Sequence, residues 1–303
     1  MVRALVILNP VAGNAHPERT RETLSRRFET HFQFELYETT GKEDLPALVQ
    51  EHLQDGVEIF VAVGGDGTVG SVAAALVGSD ARLGIIPTGT GNIIAHDVGI
   101  PESMDEALDL ILDETNIIHL DALQIDETYA LLNVSIGLSV GILRDADASR
   151  KQELGRLAYV WSGLKNLAAV DVHDVHVTVD GDLHVFRASE VLVANCPSLG
   201  MPELHVANDI RPDDGRIEVV TFRTRHIGDY WRVVLDLLFQ RSRKRRHIRV
   251  MEAFSEVAIE PEFPMDVQAD GDLIGTTPVV VRLVPAAVAL IAPHDHAQKR
   301  SQE

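Results

Sequence analysis

The pattern that most constrains the fold is a short apolar run followed directly by a loop of glycine, asparagine, threonine and aspartate. It occurs three times in the first hundred residues, with apolar runs at 4–8, 57–63 and 83–86 and loops at 9–13, 64–68 and 87–92. Apolar runs of this length are typical of buried parallel strands, and glycine-rich segments end them in tight loops. The sequence therefore predicts three strands whose carboxyl ends carry chemically similar loops.

Helical patterns separate these runs. Apolar residues at 45, 48, 49 and 53 share one helical face, and the segments 69–77 and 104–112 repeat that spacing. A polar segment from 17 to about 31 suits a surface helix, and 34–39 reads as a further strand. Alternating strands and helices with short loops predict right-handed crossovers, and hence a doubly wound parallel sheet covered on both faces.

The second half of the chain has a different pattern. Val175, Val177 and Val179 alternate with polar residues, and Asp180-Gly181 then turns the chain into a second strand, which is typical of a hairpin. Helical stretches are expected near 153–168 and 226–240. We expect an α/β domain over 1–119, a mostly β, sandwich-like domain over 120–293 with the active site in the cleft between the two, and a mobile tail over 294–303.

The three loops suit a phosphate-bearing ligand. Glycines let backbone N–H groups approach phosphate oxygens, and a helix that begins near Thr68 directs its positive dipole end to the same place. Thr68, Thr90 and Asn92 add side-chain hydrogen bonds, whereas Asp66 would repel phosphate and is better suited to Mg²⁺ or a hydroxyl. The loops alone are also compatible with plain tight turns. We expect neither a P-loop nor a Rossmann dinucleotide site here.

At these loops the chain resembles the diacylglycerol kinase catalytic-domain family, which includes sphingosine and ceramide kinases and bacterial soluble lipid kinases. The matching segments are Asn-Pro-Val-Ala-Gly at 9–13, Gly-Gly-Asp-Gly-Thr at 64–68 and Pro-Thr-Gly-Thr-Gly-Asn at 87–92. Further matches follow in the family's order: Lys151, Gly155 and Tyr159; Asn195; Asp-Asp-Gly at 213–215; Asp-Gly-Asp at 270–272; and Thr277-Pro278. One departure is Ile93, where many family members have Asp or Asn.

The resemblance implies an ATP-dependent lipid kinase that transfers the γ-phosphoryl group to a lipid hydroxyl, with a diacylglycerol-like acceptor. The residues that would bind the nucleotide are Asn9, Thr39, Gly64, Gly65, Asp66, Gly67, Thr68, Gly89, Thr90 and Asn92. Thr40 is the alternative to Thr39. Asp270 matches the proton acceptor. Asp214 matches a ligand of a structural Mg²⁺ ion in the family. The backbone carbonyls of Arg211 and Arg216 would complete that site, and such oxygen ligands suit a hard cation.

The net charge of the chain and one basic cluster indicate which partners the protein can bind. The chain has 27 basic and 46 acidic residues, a formal net charge of −19, which disfavours nucleic acid as a partner. A basic cluster over 241–249 follows an amphipathic stretch and suits an anionic membrane surface, although it equally suits the charged end of a helix. We expect a cytoplasmic protein, peripheral to the membrane that holds its lipid substrate. A homodimer is left open, since no sequence feature predicts one.

Two alternatives remain at this stage. NAD kinases share the Gly-Gly-Asp-Gly core, but they have an Asn-Glu pair at the start of the second domain, and here Asn133 is followed by Val134. A non-catalytic nucleotide-binding regulator on the same fold is the other alternative. The presence of Asp66, Asp214 and Asp270 together disfavours it, because a protein that only binds nucleotide has no use for a proton acceptor.

Overall fold

The computed structural model of the 303-residue chain describes residues 1–13, 17–137, 172–202, 204–207, 209–224, 229 and 248–293. The helices are α1 (Pro17–Phe28), α2 (Leu45–Gln54), α3 (Asp66–Leu76), α4 (Ile93–Asp97) and α5 (Met104–Asp113). The first strands are β1 (Arg3–Leu8), β2 (Gln33–Glu38), β3 (Ile59–Gly64), β4 (Arg82–Pro87), β5 (Ile117–Ile125), β6 (Thr128–Ala130), β7 (Asn133–Gly137) and β8 (His173–Val179). The others are β9 (Asp182–Ala188), β10 (Glu190–Ala194), β11 (Ile217–Phe222), β12 (Ile248–Ala253), β13 (Glu256–Pro261), β14 (Asp266–Ala269), β15 (Asp272–Thr276) and β16 (Val279–Ile291).

The first part of the chain is the predicted parallel sheet. Strands β2, β1, β3 and β4 lie in that order, and each neighbouring pair is parallel. All six residues of β3 are buried, as expected of a strand covered on both faces. Local signals start the helices where the sequence predicts them: the carboxylate of Asp44 accepts a hydrogen bond from the N–H of Ala47 at the start of α2. All three loops therefore leave the same edge of one sheet.

The last strand, β16, ties the two halves together. Its end pairs in parallel with β4 through Ala289 and Leu290, while most of its length pairs antiparallel with β5. Its beginning pairs with β13, so the sheet continues into β8 and β9. The predicted boundary at 119/120 falls inside β5, and it stays a prediction. The sheet crosses that position, and the core of the first part contains side chains from β16.

The second sheet is antiparallel and stacks on the continuation of the first. Its strand order is β12, β11, β10, β7, β14 and β15. The core between the sheets contains the inward residues Val177, Val193, Val219 and Val257. The hairpin predicted at Asp180-Gly181 is confirmed as the turn between β8 and β9. The predicted fold class, an α/β part with a parallel sheet followed by a β-rich sandwich, is confirmed.

Some predictions lie outside the described residues. These are the helical stretches near 153–168 and 226–240, the motif residues Lys151, Gly155 and Tyr159, the basic residues at 241–246 and the tail at 294–303. Within the described ranges, no helix is long and apolar enough to cross a membrane.

Candidate active site

The three loops interlock at the carboxyl edge of β1, β3 and β4. A Cβ on Gly89 would lie 2.4 Å from the Cα of Gly65, and a Cβ on Gly13 would lie 2.1 Å from the carbonyl oxygen of Thr88. Real Cβ atoms do not approach other atoms so closely, so both positions require glycine. The backbone N–H of Thr88 also donates to the carbonyl of Gly64, at 3.0 Å. The loops from three separate crossovers therefore form one continuous surface.

Two side chains fasten these loops to α3. Asn9 Nδ2 donates to the hydroxyl of Thr68 at 3.1 Å, and Thr68 fills the space that a side chain on Gly64 would need. Asp66, in the first turn of α3, accepts a hydrogen bond from the backbone N–H of Ile93 at 2.5 Å. The apolar residue at 93 therefore still contacts the central loop, through its backbone.

The remaining predicted nucleotide residues lie at the same edge. Asn92 accepts from the N–H of Gly89 and donates to the carbonyl of the same residue, both at 2.9 Å, which closes the loop after β4. Thr90 is exposed at its tip. Thr39 follows β2 and is buried, whereas the hydroxyl of Thr40 donates to Glu43 at 2.6 Å. That hydrogen bond, together with bonds from backbone N–H groups including those of Thr40 and Lys42, lowers the pKa of Glu43 to about 2.

The start of α3 is open for hydrogen bonding. Its N-cap is Gly65, which has no side chain to cap the first-turn N–H groups. Gly65, Gly67 and Gly70 also satisfy the G-x-G-x-x-G spacing between a strand and a helix, a match that the sequence reading missed. A dinucleotide fingerprint further requires an acidic residue about 20 positions on, where this chain has Pro87-Thr88-Gly89. The glycine spacing is thus present, but the acidic residue that would bind the ribose in a dinucleotide site is not found at that distance.

Asp270 lies in the turn between β14 and β15 and is held by three consecutive backbone amides. Its Oδ2 accepts from Leu131 N at 2.7 Å, and its Oδ1 accepts from Leu132 N at 2.9 Å and Asn133 N at 3.0 Å. A carboxylate has about four acceptor positions, so these bonds leave one on Oδ2. The geometry fixes the carboxylate while keeping one acceptor position.

The oxygen of Asp270 that keeps a free acceptor position, Oδ2, lies beside α3. A Cβ on Gly70, one turn into α3, would lie 4.0 Å from Asp270 Oδ2. Burial raises the pKa of Asp270, and the nearby charge of Asp66 raises it further, while the three amides act in the opposite direction. The structure thus brings Asp270, from the second half of the chain, to the helix that begins at the central loop.

The loop that supplies these amides is itself braced by a residue that the sequence reading noted only as a motif match. Asn195 is fully buried, and its Nδ2 donates to the carbonyl oxygens of Leu131 and Asp121, at 2.8 and 3.0 Å. Cys196, next to it, is also buried. Asn195 therefore acts on the position of Asp270 through the Leu131 loop.

The Asp-Asp-Gly turn lies at a different corner. The carboxylate of Asp121 accepts from the N–H groups of Gly215 and Ala286, which fixes this turn to β5 and β16. The predicted cation ligand Asp214 accepts from the side chain of Arg216, with Nε 2.9 Å from Oδ2. Arg211 pairs in the same way with Asp213.

Glu218 is the neighbour of Asp214 that sequence reasoning missed. It is a charged residue inside the buried strand β11, and its side chain is only 5% exposed. Burial, and next the charge of Asp214, raise its pKa to about 7. Its Oε2 has no hydrogen-bond partner among the described residues. The signal that could have revealed it is the single acidic residue in the apolar run 217–222.

The oxygen atoms near Asp214 and Glu218 are of the kind that a hard cation binds. The oxygen of Glu218 without a partner and the carboxylate of Asp214 are both close to Arg216, and hard cations prefer such oxygens. The described part of the chain contains no group of three or more His, Cys, Asp and Glu side chains arranged to hold a metal ion. A cation here would therefore depend on two carboxylates and on backbone carbonyls.

A buried link joins the helix after the third loop to the second half. Asp97, at the end of α4, accepts from the hydroxyl of Ser198 at 2.6 Å and from its N–H at 3.3 Å. Both residues are buried. Because α4 begins directly after Asn92, this link connects the loop after β4 to the segment that follows β10.

The comparisons with known proteins agree with this architecture. Residues 3–125 match the family model described as the diacylglycerol kinase catalytic domain, and residues 132–292 match the YegS C-terminal NAD kinase beta sandwich-like domain. Together they cover most of the chain, and the second alone covers more than half of it, so the chain belongs to the family that joins a diacylglycerol kinase catalytic domain to a YegS-type C-terminal domain.

Individual relatives are distant but cover the full length. The diacylglycerol kinase of Bacillus subtilis (strain 168) is 25% identical over 303 residues, covering 99% of each chain. An uncharacterized protein of Synechocystis is 26% identical, covering 96% of this chain and 70% of its own. A solved structure of a candidate diacylglycerol kinase from Bacillus anthracis str. Sterne is 25% identical, with a TM-score of 0.83 over 97% of this chain and 96% of its own.

Proposed function

We propose that this chain is an ATP-dependent lipid kinase that phosphorylates a hydroxyl group of a diacylglycerol-like lipid. The observation that carries the proposal is the placement of Asp270 Oδ2 beside α3, whose uncapped N-terminus adjoins all three glycine loops. In the proposed site, the proton acceptor therefore lies about one helical turn from the amides that would bind the phosphates. The name of the Bacillus subtilis relative supports diacylglycerol as the acceptor.

The glycine loops position the nucleotide. In the proposed complex, amides of the Gly64–Thr68 and Gly89–Asn92 segments and the first-turn N–H groups of α3 hold its phosphates, with Asn9 and Thr39 completing the site. Phosphoryl transfer requires mainly positioning and charge stabilisation, which fixed amides provide without reorganisation. Thr39 is preferred over Thr40, because the Thr40 hydroxyl already bonds to Glu43.

Asp270 removes the proton from the lipid hydroxyl. Its one remaining acceptor position, on Oδ2, would receive that proton as the hydroxyl oxygen attacks the γ-phosphorus, while the bond from this phosphorus to the bridging oxygen of the β-phosphate breaks and ADP leaves. The pKa raised by burial makes the carboxylate a stronger base than an exposed aspartate. The amides of Leu131, Leu132 and Asn133 keep it oriented.

Mg²⁺ is the cation proposed with ATP and, separately, at the Asp-Asp-Gly turn. Near the phosphates it would neutralise the charge that develops during transfer. At the turn, Asp214 and the backbone carbonyls of Arg211 and Arg216 would hold it.

The basic cluster at 241–249 is proposed to contact the membrane surface, and charge reversal at Arg245 and Arg246 should then weaken sedimentation with anionic liposomes.

The chain offers a matched control for Asp270. Asp180, in the turn between β8 and β9, accepts from three consecutive amides, those of Phe254, Ser255 and Glu256. The two aspartates share the left-handed backbone conformation, with φ of 47° for Asp180 and 49° for Asp270. Asp180 lies towards the far end of the sheet, next to β9. Replacing either residue by alanine leaves three amides unpaired, but only one position adjoins α3.

The test compares Asp270→Ala with Asp180→Ala. We expect both variants to lose thermal stability, and Asp270→Ala to lose more because its amide hydrogen bonds are partly buried while those at Asp180 are exposed. Both should retain ATP binding, and only Asp270→Ala should lose turnover, by about 10²-fold or more. Turnover is measured with ATP and a panel of diacylglycerol, sphingoid base, ceramide, phosphatidylglycerol and NAD. Equal turnover in the two variants would remove the role of Asp270.

The same panel separates the alternatives. The second-domain family is described as NAD kinase-like, which makes NAD the second candidate acceptor. Phosphorylation of NAD and of no lipid would establish that alternative. Binding of ATP with no phosphorylation of any acceptor would instead indicate a nucleotide-binding regulator.

A further inference from the structure

The side chain of Arg216 occupies the middle of an acidic corner beside the Asp-Asp-Gly turn. Its Nε is 2.9 Å from Asp214 Oδ2 and 3.7 Å from Glu218 Oε1. Its Nη1 is 2.8 Å from Glu252 Oε1, and its Nη2 donates to the carbonyl oxygen of Asp209 at 3.1 Å. One guanidinium group therefore compensates the charge of three carboxylates.

Glu218 is the member of this corner that the guanidinium satisfies least. Its distance of 3.7 Å from Nε is too long for a hydrogen bond, and its other oxygen has no partner among the residues described. A buried carboxylate oxygen without a donor or a cation is costly. The corner is thus built for more positive charge than Arg216 supplies to Glu218.

We infer that the guanidinium of Arg216 and a divalent cation compete for the carboxylate pair Asp214 and Glu218. This inference rests on the proposed function only in taking Asp214 as a cation ligand, and it adds Glu218 as a second one. Arg216 therefore has two opposed roles: its backbone carbonyl is a proposed ligand, while its side chain bonds to the carboxylate that the cation needs.

The competition has a measurable consequence. When the guanidinium holds the pair, only the fraction of molecules in which it has left is competent to bind a cation, and the apparent affinity falls by that fraction. Removing the side chain should therefore tighten cation binding. Arg187 provides the control, because its ion pair with Asp174 joins β8 and β9 at the end of the first sheet, outside the proposed cation site.

The experiment measures Mn²⁺ binding by electron paramagnetic resonance at fixed pH, without nucleotide or lipid. We expect Arg216→Leu to bind Mn²⁺ at least about tenfold more tightly than the unmodified protein, and Arg187→Leu to bind it unchanged. Adding Glu218→Gln to Arg216→Leu should abolish the gain. If Arg216→Leu does not fold, Arg216→Gln carries the same expectation.

Two results would overturn the inference: an affinity in the Arg216 variants no greater than that of the unmodified protein, or a gain that persists when Glu218 is replaced. Because no ATP or lipid is present, this outcome does not depend on whether the chain phosphorylates a lipid. A kinase assay that fails while Mn²⁺ binding follows the expected pattern would count against the proposed function alone.

Discussion

At the scale of single residues, the environment of a carboxylate decides what it can do. Asp180 and Asp270 have the same backbone conformation and the same three-amide arrangement, yet only Asp270 adjoins α3. Glu218 has the opposite surroundings, since one of its oxygens lacks any partner in the described ranges. Three carboxylate side chains thus have three different roles: Asp180 stabilises a turn, Asp270 is the proposed base, and Glu218 is a proposed cation ligand.

Glu218 predicts a pH dependence of stability. Its pKa of about 7 in the folded chain exceeds the ordinary value of 4.5, so the folded state binds more protons between these values and stability decreases as pH rises through them. The difference corresponds to at most about 3 kcal/mol. Urea unfolding in EDTA from pH 5 to 8 should show a flatter profile for Glu218→Gln. Parallel profiles for the two proteins would contradict this.

At the scale of elements, α3 must be a stable helix and must also leave space beside Asp270. It contains Gly67 and Gly70, although glycine within a helix costs about 1 kcal/mol relative to alanine. A Cβ on Gly70 would enter ordinary contact with Asp270 Oδ2, at 4.0 Å. The glycine weakens the helix while it leaves space at the oxygen proposed to receive the proton.

Gly70→Ala should therefore separate stability from activity. We expect a higher melting temperature, because alanine favours the helix, and a fall of about tenfold or more in kcat/KM for the lipid, because the methyl group crowds the acceptor oxygen. Ser71→Ala, on a half-buried position of the same helix, is the control. An unchanged kcat/KM in Gly70→Ala would show that this space is not used.

At the scale of the whole molecule, the two halves share the first sheet. The end of β16 is the parallel neighbour of β4, and Val288, Leu290 and Ile291 belong to the core of the first part. A chain cut at the predicted boundary would leave one side of β4 unpaired and this core incomplete. The loop after β4, proposed to contact the nucleotide, thus depends on Ala289 and Leu290, 207 positions further along the chain than their partners Arg82 and Leu83 (289 − 82 = 207).

A fragment of residues 1–119 tests this dependence. We expect it to lack a cooperative thermal transition by circular dichroism and to bind no ATP, since burial of apolar surface against β16 is lost. A fusion of 1–125 through a flexible linker to 279–293 should recover both properties. Cooperative unfolding of the short fragment alone would show that the first part folds independently.

In the first part of the chain, the local pattern of residues determined β1 to β4, the helices α1, α2, α3 and α5, the glycine loops and their common edge, because hydrophobic period and turn chemistry act over a few residues. It also predicted the hairpin at Asp180. Only the tertiary structure decided that β16 joins the first sheet, that Asp270 faces α3 while Asp180 does not, and that Glu218 lies beside Asp214. These relations join segments far apart in sequence, and packing between the sheets, which no local pattern encodes, brings them together.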